Sequence, residues 1–378
     1  MEEAVEMEEK NRPLSLRFTI GEFAGSVGDF GTILPIVLGV ALVCNVNLAH
    51  IFLFFALWYV VSGLIYRLPI PIEPLKAVGA IAIAEGLTAG EIAGAGLIIG
   101  VIFLGLGCCG SMTWLRDRIP VSVIRGVQAG LALVLIKTSI GFLISDPLFA
   151  GISVAVVVIF FIAALHWKIN DVSALIVLAI GIGAGILTAG LPNLSMIPLP
   201  SLLLPSTADL VHAGLYLVPP QFPLTLTNAI LATSLLAHDL FKTDVPPDRL
   251  SRTIGIMNLV SVPLGGFPMC HGAGGLAAQH RFGARTGGSN IIAGVIFLGF
   301  ALFFASPESL ALIPLGVFGG LLFFAAVELG KHSAKTDSYA VTIVIAVLSV
   351  LVNITVGFVV GLILAYLLRW QKREKAPE

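Results

Sequence analysis

Apolar and polar positions along this chain come in blocks instead of alternating with a short period. Apolar runs recur from Phe18 to Trp370, separated by brief polar stretches. A helix crossing about 30 Å of hydrocarbon needs about 20 such residues. The pattern therefore predicts an all-α polytopic membrane protein. Composition agrees: of 378 residues 57% are hydrophobic and 11% charged, against about 25% charged in a soluble domain.

The few basic residues carry the topology. Of 21 Lys and Arg, 18 fall in clusters at alternate ends of the apolar runs. These are Lys10, Arg12 and Arg17; Arg67; Arg116 and Arg118; Lys168; Lys242, Arg249 and Arg252; Arg281 and Arg285; Lys331 and Lys335; and Arg369 through Lys375. Basic loops stay inside the cell. Reading each cluster that way predicts about 14 segments in the cell membrane with both termini cytoplasmic. Tyr339–Trp370 has room for two short helices or one long one, which leaves 12 crossings as an alternative to about 14. The acidic, polar stretch 1–17 is no signal peptide and reads as a cytoplasmic tail. So does 371–378, after which no soluble domain is expected. A net charge of −1 favours no nucleic acid partner, and the partner the pattern implies is the lipid bilayer. The four cysteines show no metal-ligand spacing, and adjacent Cys108 and Cys109 read as packing residues, so neither metal nor cofactor is expected.

The halves of the chain are related. TAGEIAGAGLI from Thr88 matches TGGSNIIAGVI from Thr286 at a spacing of 198 residues, and IPVSVIRG from Ile119 matches IPLGVFGG from Ile313 at 194. The first pair carries its arginines after one copy (Arg116, Arg118) and before the other (Arg281, Arg285), so the copies run in opposite directions. That is an inverted repeat, an architecture of secondary transporters. It divides the chain into a first repeat 18–190, an extracellular Pro- and Ser-rich linker 191–221 without Lys or Arg, and a second repeat 222–370.

In such folds the substrate sits at mid-membrane between interrupted helices. The repeat spacing pairs PIPIEPLKAVGAIAIAEG with GFPMCHGAGGLAAQHRFG. Proline disfavours helix in the residue before it, so each copy is expected to enter extended and then turn helical, the first near Pro74 and the second near His271. Two helix N-termini would face each other at the centre. Each carries about half a positive charge and unpaired N–H groups, which suits an anion. The candidate seat comprises Leu75, Lys76 and Ala77 from the first half-helix, His271, Gly272, Ala273 and Gly274 from the second, and Thr32. Lys76 at a positive helix end calls for a negative partner, either a ligand or Glu73 three residues earlier. His271 is either a neutral ligand group or a hydrogen-bonded packing residue. No zinc set, phosphate loop, HExxH or GxSxG accompanies these residues, so neither a hydrolase nor an ATP-driven pump is expected.

PIPIEPLKAVGA and GFPMCHGAGGLAAQHRFGARTGGS together resemble the two signature motifs of the molybdate transporter family, a branch of the sulfate permease superfamily. GDFGTILP and NAILATSLLAHDLF extend the likeness over most of the chain. The resemblance implies a seven-plus-seven inverted repeat with two half-helices meeting at the midplane, a core domain moving against a gate domain, and a homodimer. It also implies transport of a tetrahedral oxyanion, molybdate or sulfate. Glu73 stands where Gln is usual and His280 where Tyr is usual. A carboxylate beside an anion seat calls for a proton or a cationic partner, so Glu73 points to proton-linked uptake.

Ionisable groups within membrane segments are functional candidates. Asp29, about 15 Å into the first segment by helical rise, leads the coupling candidates, followed by Glu22, Glu73, His238 and Asp239. Asn228 and Gln128 are either substrate donors or helix-bridging groups. The expectation is a proton-coupled secondary active transporter, a symporter, importing molybdate by alternating access. A sulfate transporter, a nucleobase permease, an anion channel, and a membrane enzyme using His271 and Asp29 as acid and base stay open as alternatives.

Overall fold

The structure is a computed structural model that describes residues 15–115, 118–167, 172–192, 195–331 and 333–374. The basic residues Lys10, Arg12, Arg116, Lys168 and Lys375, with most of the stretch 1–17, lie outside the described residues.

The chain folds as the apolar blocks predict. The first segment is broken into α1 (Ile20–Ser26) and α2 (Phe30–Cys44), with Asp29 at the N-cap of α2. α3 (Leu48–Tyr66) follows. An extended arm then leads through β1 (Glu73–Pro74) into the half-helix α4 (Lys76–Glu85). Next come α5 (Ala89–Cys108), a single turn α6 (Met112–Leu115), α7 (Val121–Ser145), α8 (Pro147–Trp167) and α9 (Ser173–Ala189). The second half runs through α10 (Thr207–Phe241) and α11 (Pro247–Ser261). Its own extended arm leads through β2 (Met269–Cys270) into the half-helix α12 (Ala273–Phe282). The chain finishes with α13 (Gly288–Phe303), the short α14 (Pro307–Ala311), α15 (Leu315–Gly330), α16 (Tyr339–Leu351) and α17 (Ile354–Glu374). The last two settle the crossing expected at Tyr339–Trp370: it is two helices.

The predicted symmetry is present in the helix boundaries. The half-helices start at Lys76 and Ala273 and end at Glu85 and Phe282, a displacement of 197 residues at both ends. Packing obeys the same inversion. α3 packs on α13 and, related by the repeat, α5 packs on α11, while α7 packs on α15. These contacts divide the helices into two bundles, one of α1–α5 with α10–α13 and the other of α7–α9 with α15–α17. The bundles meet where α2 contacts α15 and α9 and where α4 contacts α7. Within the first bundle the Phe297 ring lies 4.5 Å from that of Phe30 and 5.3 Å from that of Tyr59, which fixes α2 and α3 to α13.

Two expectations are corrected. The linker ends at Ser206, not Gln221, because Ser206 and Asp209 form a capping box that starts α10 at Thr207. The prolines Pro219, Pro220 and Pro223, which suggest a loop, lie inside that helix between two wide turns, Ala213–Leu217 and Thr225–Ala232. Missing proline N–H groups and ring clashes are accommodated by such local widening. The half-helices also begin two residues later than expected, since Glu73–Pro74 pairs antiparallel with Met269–Cys270 as a two-residue ladder. Proline favours extended backbone before it, and pairing the two arms satisfies polar groups that lipid could not.

Candidate functional site

Every element of the site is set by the crossing of the two arms. Glu73 pairs with Cys270 and Pro74 with Met269, and the Leu75 N–H donates to the Pro268 carbonyl at 2.9 Å. Side-chain amides brace both arms. Asn258 of α11 donates to the Met269 carbonyl at 2.7 Å and accepts from the Met269 N–H at 2.9 Å. Asn290 of α13 and Ser62 of α3 donate to the Ile70 carbonyl at 2.6 and 2.7 Å. Buried backbone away from water needs such partners. With them, the N-termini of α4 and α12 are presented at the centre of the bundle.

The two termini are treated differently. At α4 the Gln221 side-chain oxygen accepts from the Ala77 and Val78 N–H groups at 2.8 and 3.3 Å, and the Gln221 amide donates to Thr225 at 2.9 Å. A residue 144 positions away thus caps the first half-helix. At α12 the Glu73 carboxylate accepts from the Gly275 N–H at 3.0 Å while forming an ion pair with the Lys76 ammonium at 2.7 Å. The N–H groups of Ala273 and Gly274 take no hydrogen bond among the described residues, and Gly274 is exposed.

Asp29 closes the site from the α1–α2 break. Its carboxylate is buried and makes no close hydrogen bond among the described residues. Thr32 on its own helix, Glu73, Lys76 and, more weakly, Glu328 of α15 are the polar groups that act on it. A Cβ on Gly275 would lie 2.3 Å from the Asp29 carboxylate and 2.7 Å from that of Glu73, so the two carboxylates lie within about 5 Å of each other around one glycine. A Cβ on Gly272 would meet the Glu73 carboxylate at 2.1 Å. These two glycines are required by close approach, not by backbone conformation. The result is a cluster of two carboxylates and one ammonium at a helix N-terminus, opening through Lys76, whose side chain is 18% exposed.

A family model described as "Molybdate transporter of MFS superfamily" matches residues 21–135 and 213–329, more than half of the chain and including both half-helices. The chain belongs to the molybdate transporter family. Among curated relatives, molybdate transporter 2 of Arabidopsis thaliana is 32% identical over 381 residues, covering 86% of this chain and 82% of the relative. Molybdate transporter 1 of the same plant is 30% identical with the same coverage, 86% and 82%. Among solved structures, the transmembrane domain of the cyanobacterium bicarbonate transporter BicA superposes with a TM-score of 0.69 at 16% identity, covering 92% of this chain and 98% of that one. The inward-facing murine Solute Carrier 26 family member A9, an anion transporter, gives 0.69 at 14% identity over 98% and 75% of the two chains. These structures share the fold.

Within this molybdate transporter family scaffold, Lys76 and the α12 N-terminus that carries Ala273 and Gly274 are linked through Glu73, and Thr32 lies beside Asp29. The other candidates take different roles. The Leu75 and Ala77 amides are already bound, to Pro268 and Gln221. His271 is the packing histidine: its Nδ1 lies 3.0 Å from the Pro71 carbonyl and its Nε2 2.8 Å from the Thr253 hydroxyl. In the neutral ring Nδ1–H donates to Pro71 and Nε2 accepts from Thr253, leaving no nitrogen for a ligand or for acid–base work with Asp29. Glu22 accepts from the Arg285 and Thr286 amides and the Thr286 hydroxyl, so it anchors the turn after α12. His238 pairs with Asp244 at 2.8 Å on an exposed surface, and Asp239 is exposed beside it. Gln128 accepts from Arg125 at 3.0 Å, and Asn228 makes no side-chain hydrogen bond among the described residues. Gln221, Asn258 and Asn290 were not among the residues singled out from the sequence. Their only signal there is an uncharged amide within an apolar block, which marks a hydrogen bond without naming its partner.

Proposed function

We propose that this protein imports a tetrahedral oxyanion, molybdate foremost, by proton-coupled alternating access. The single observation that carries the reading is that the Lys76 ammonium and the α12 N-terminus converge on one carboxylate, that of Glu73, which pairs with Lys76 at 2.7 Å and accepts from the Gly275 N–H at 3.0 Å, while the adjacent Ala273 and Gly274 amides stay unbonded among the described residues. Such a set offers charge and oriented donors to an anion lacking donors of its own. A nucleobase would call for the opposite, acceptors and donors in a plane. Family membership and the relatives' names support the same substrate class, and sulfate, of the same shape and charge, is the expected competitor.

Charge counting supports the drive. With Asp29, Glu73 and Lys76 all ionised the cluster carries a formal −1; adding a dianion and two protons leaves it at −1. A dianion entering a cell moves against about 2.3 kcal/mol per charge per 100 mV, and two accompanying protons cancel that work. Asp29 and Glu73 are the residues placed to carry them. The bundle holding both half-helices rocks against the α7–α9 and α15–α17 bundle, exposing the seat to each side in turn. The basic helix ends lie in the cytoplasm, as do both termini, and the assembly is a dimer in the cell membrane. Radiolabelled molybdate uptake into proteoliposomes, with and without an inward proton gradient, tests the reading. Uptake should rise with the gradient and fall with excess sulfate. Gradient-independent uptake would remove the coupling, and no uptake of either oxyanion would remove the function.

A further inference from the structure

The donors that suit an oxyanion are partly taken by the protein itself. One carboxylate, that of Glu73, bonds the Gly275 N–H at 3.0 Å and the Lys76 ammonium at 2.7 Å. It is wholly buried, and both Gly272 and Gly275 lack the Cβ that would exclude it. A carboxylate bound by a helix N-terminus and an ammonium is chemically the arrangement expected of bound oxyanion. We infer that Glu73 is a tethered surrogate for the substrate: ionised, it occupies the seat, and a dianion enters only as Glu73 takes a proton and releases Lys76 and the Gly275 amide. This deepens the oxyanion reading above and rests on it.

The step balances. One proton joins the Glu73 carboxylate to give a neutral carboxylic acid, the Lys76 ammonium keeps its charge, and the dianion takes over both donors. The groups facing Glu73 are Lys76 on α4, Asp29 at the α1–α2 break, Tyr59 on α3, and Cys270 and His271 on the second arm. Of these, Asp29 is the other acid in the cluster, and it has neither the ammonium nor the amide as a direct partner among the described residues. It therefore carries the second proton of the charge count without competing for the seat. An ionised Glu73 also gives the unloaded pocket an internal counter-ion for Lys76, so the ammonium is never left unpaired.

The test is molybdate binding to the purified full chain by isothermal titration, in buffers of differing ionisation heat, so that protons taken up per anion are read directly. For the wild-type chain we expect Glu73 to take up about one proton per anion bound above neutral pH, and by itself to raise affinity up to about tenfold per unit as pH falls. In Glu73→Gln and Glu73→Ala that proton should vanish, affinity at about pH 8 should rise about tenfold or more, and its pH dependence should be shallower by that one proton. Tight binding by these variants with unchanged proton uptake would overturn the proposal and leave the oxyanion reading standing. So would wild-type binding with no proton uptake, a measurement that needs no variant to fold. Absence of molybdate and sulfate binding to every chain would overturn the oxyanion reading, and the surrogate with it.

Discussion

The two half-helices share a backbone and differ in chemistry. α4 and α12 have the same length, start 197 residues apart and are entered by arms that pair with each other. Yet the first brings Glu73 and Lys76, whereas the corresponding positions of the second are Cys270 and Ala273. At the third helical residue the first has Val78, and the second has Gly275, where two carboxylates converge. One copy supplies charge and the other supplies bare amides and room. An inverted repeat thus sets where the helix ends meet, while divergence between its copies puts the charges on one arm and the room for them on the other.

The sharpest way to break this division of labour is to give the second copy the first copy's side chain. Gly275→Val puts carbon where the Asp29 and Glu73 carboxylates lie, at 2.3 and 2.7 Å from the Cβ position. Uptake should be lost by about 100-fold or more, the scale of one strong electrostatic contact group; near wild-type uptake would show that the carboxylates do not need this glycine.

The next effect is on charge. Lys76→Ala leaves two carboxylates without a cation, and breaking a buried pair costs about 3–5 kcal/mol. Thermal unfolding in detergent should show the loss, and molybdate binding should fall about tenfold or more. Adding Ala273→Lys, which moves the ammonium to the symmetry-related position, should restore part of the binding. No recovery would mean that the seat belongs to α4 alone.

A smaller effect distinguishes the braces. Asn258→Ala orphans both polar groups of Met269, each worth about 1–3 kcal/mol when left unsatisfied. Ser62→Ala removes one of two donors to Ile70 and should cost less, about 1 kcal/mol. Equal losses in an unfolding measurement would show that the arms are not held unequally.

Much of this was legible before any coordinates. Apolar block length predicted the helices, because in lipid a spanning helix satisfies its own backbone. The spacing of TAGEIAGAGLI and TGGSNIIAGVI brought Pro71 and Pro268 to within one residue of register. The start of α10 was hidden, since Pro219 and Pro220 signal a break that two wide turns absorb. The roles of His271 and Glu22 stayed open for a common reason. A polar residue in an apolar stretch declares that it has a partner, and nothing local says whether that partner is ligand or protein.

What the sequence by itself determined is therefore periodic or local: the block lengths, the charge bias, the repeat and the proline-led arms, each dictated by the bilayer or by backbone sterics. What the tertiary structure alone decided is pairwise and distant. Gln221 caps a helix 144 residues before it, Glu73 caps one 202 residues after it, and Thr253 occupies the ring of His271. Hydrogen bonds form over about 3 Å, so which residues make them depends on where folding places them in space and leaves no periodic mark on the chain.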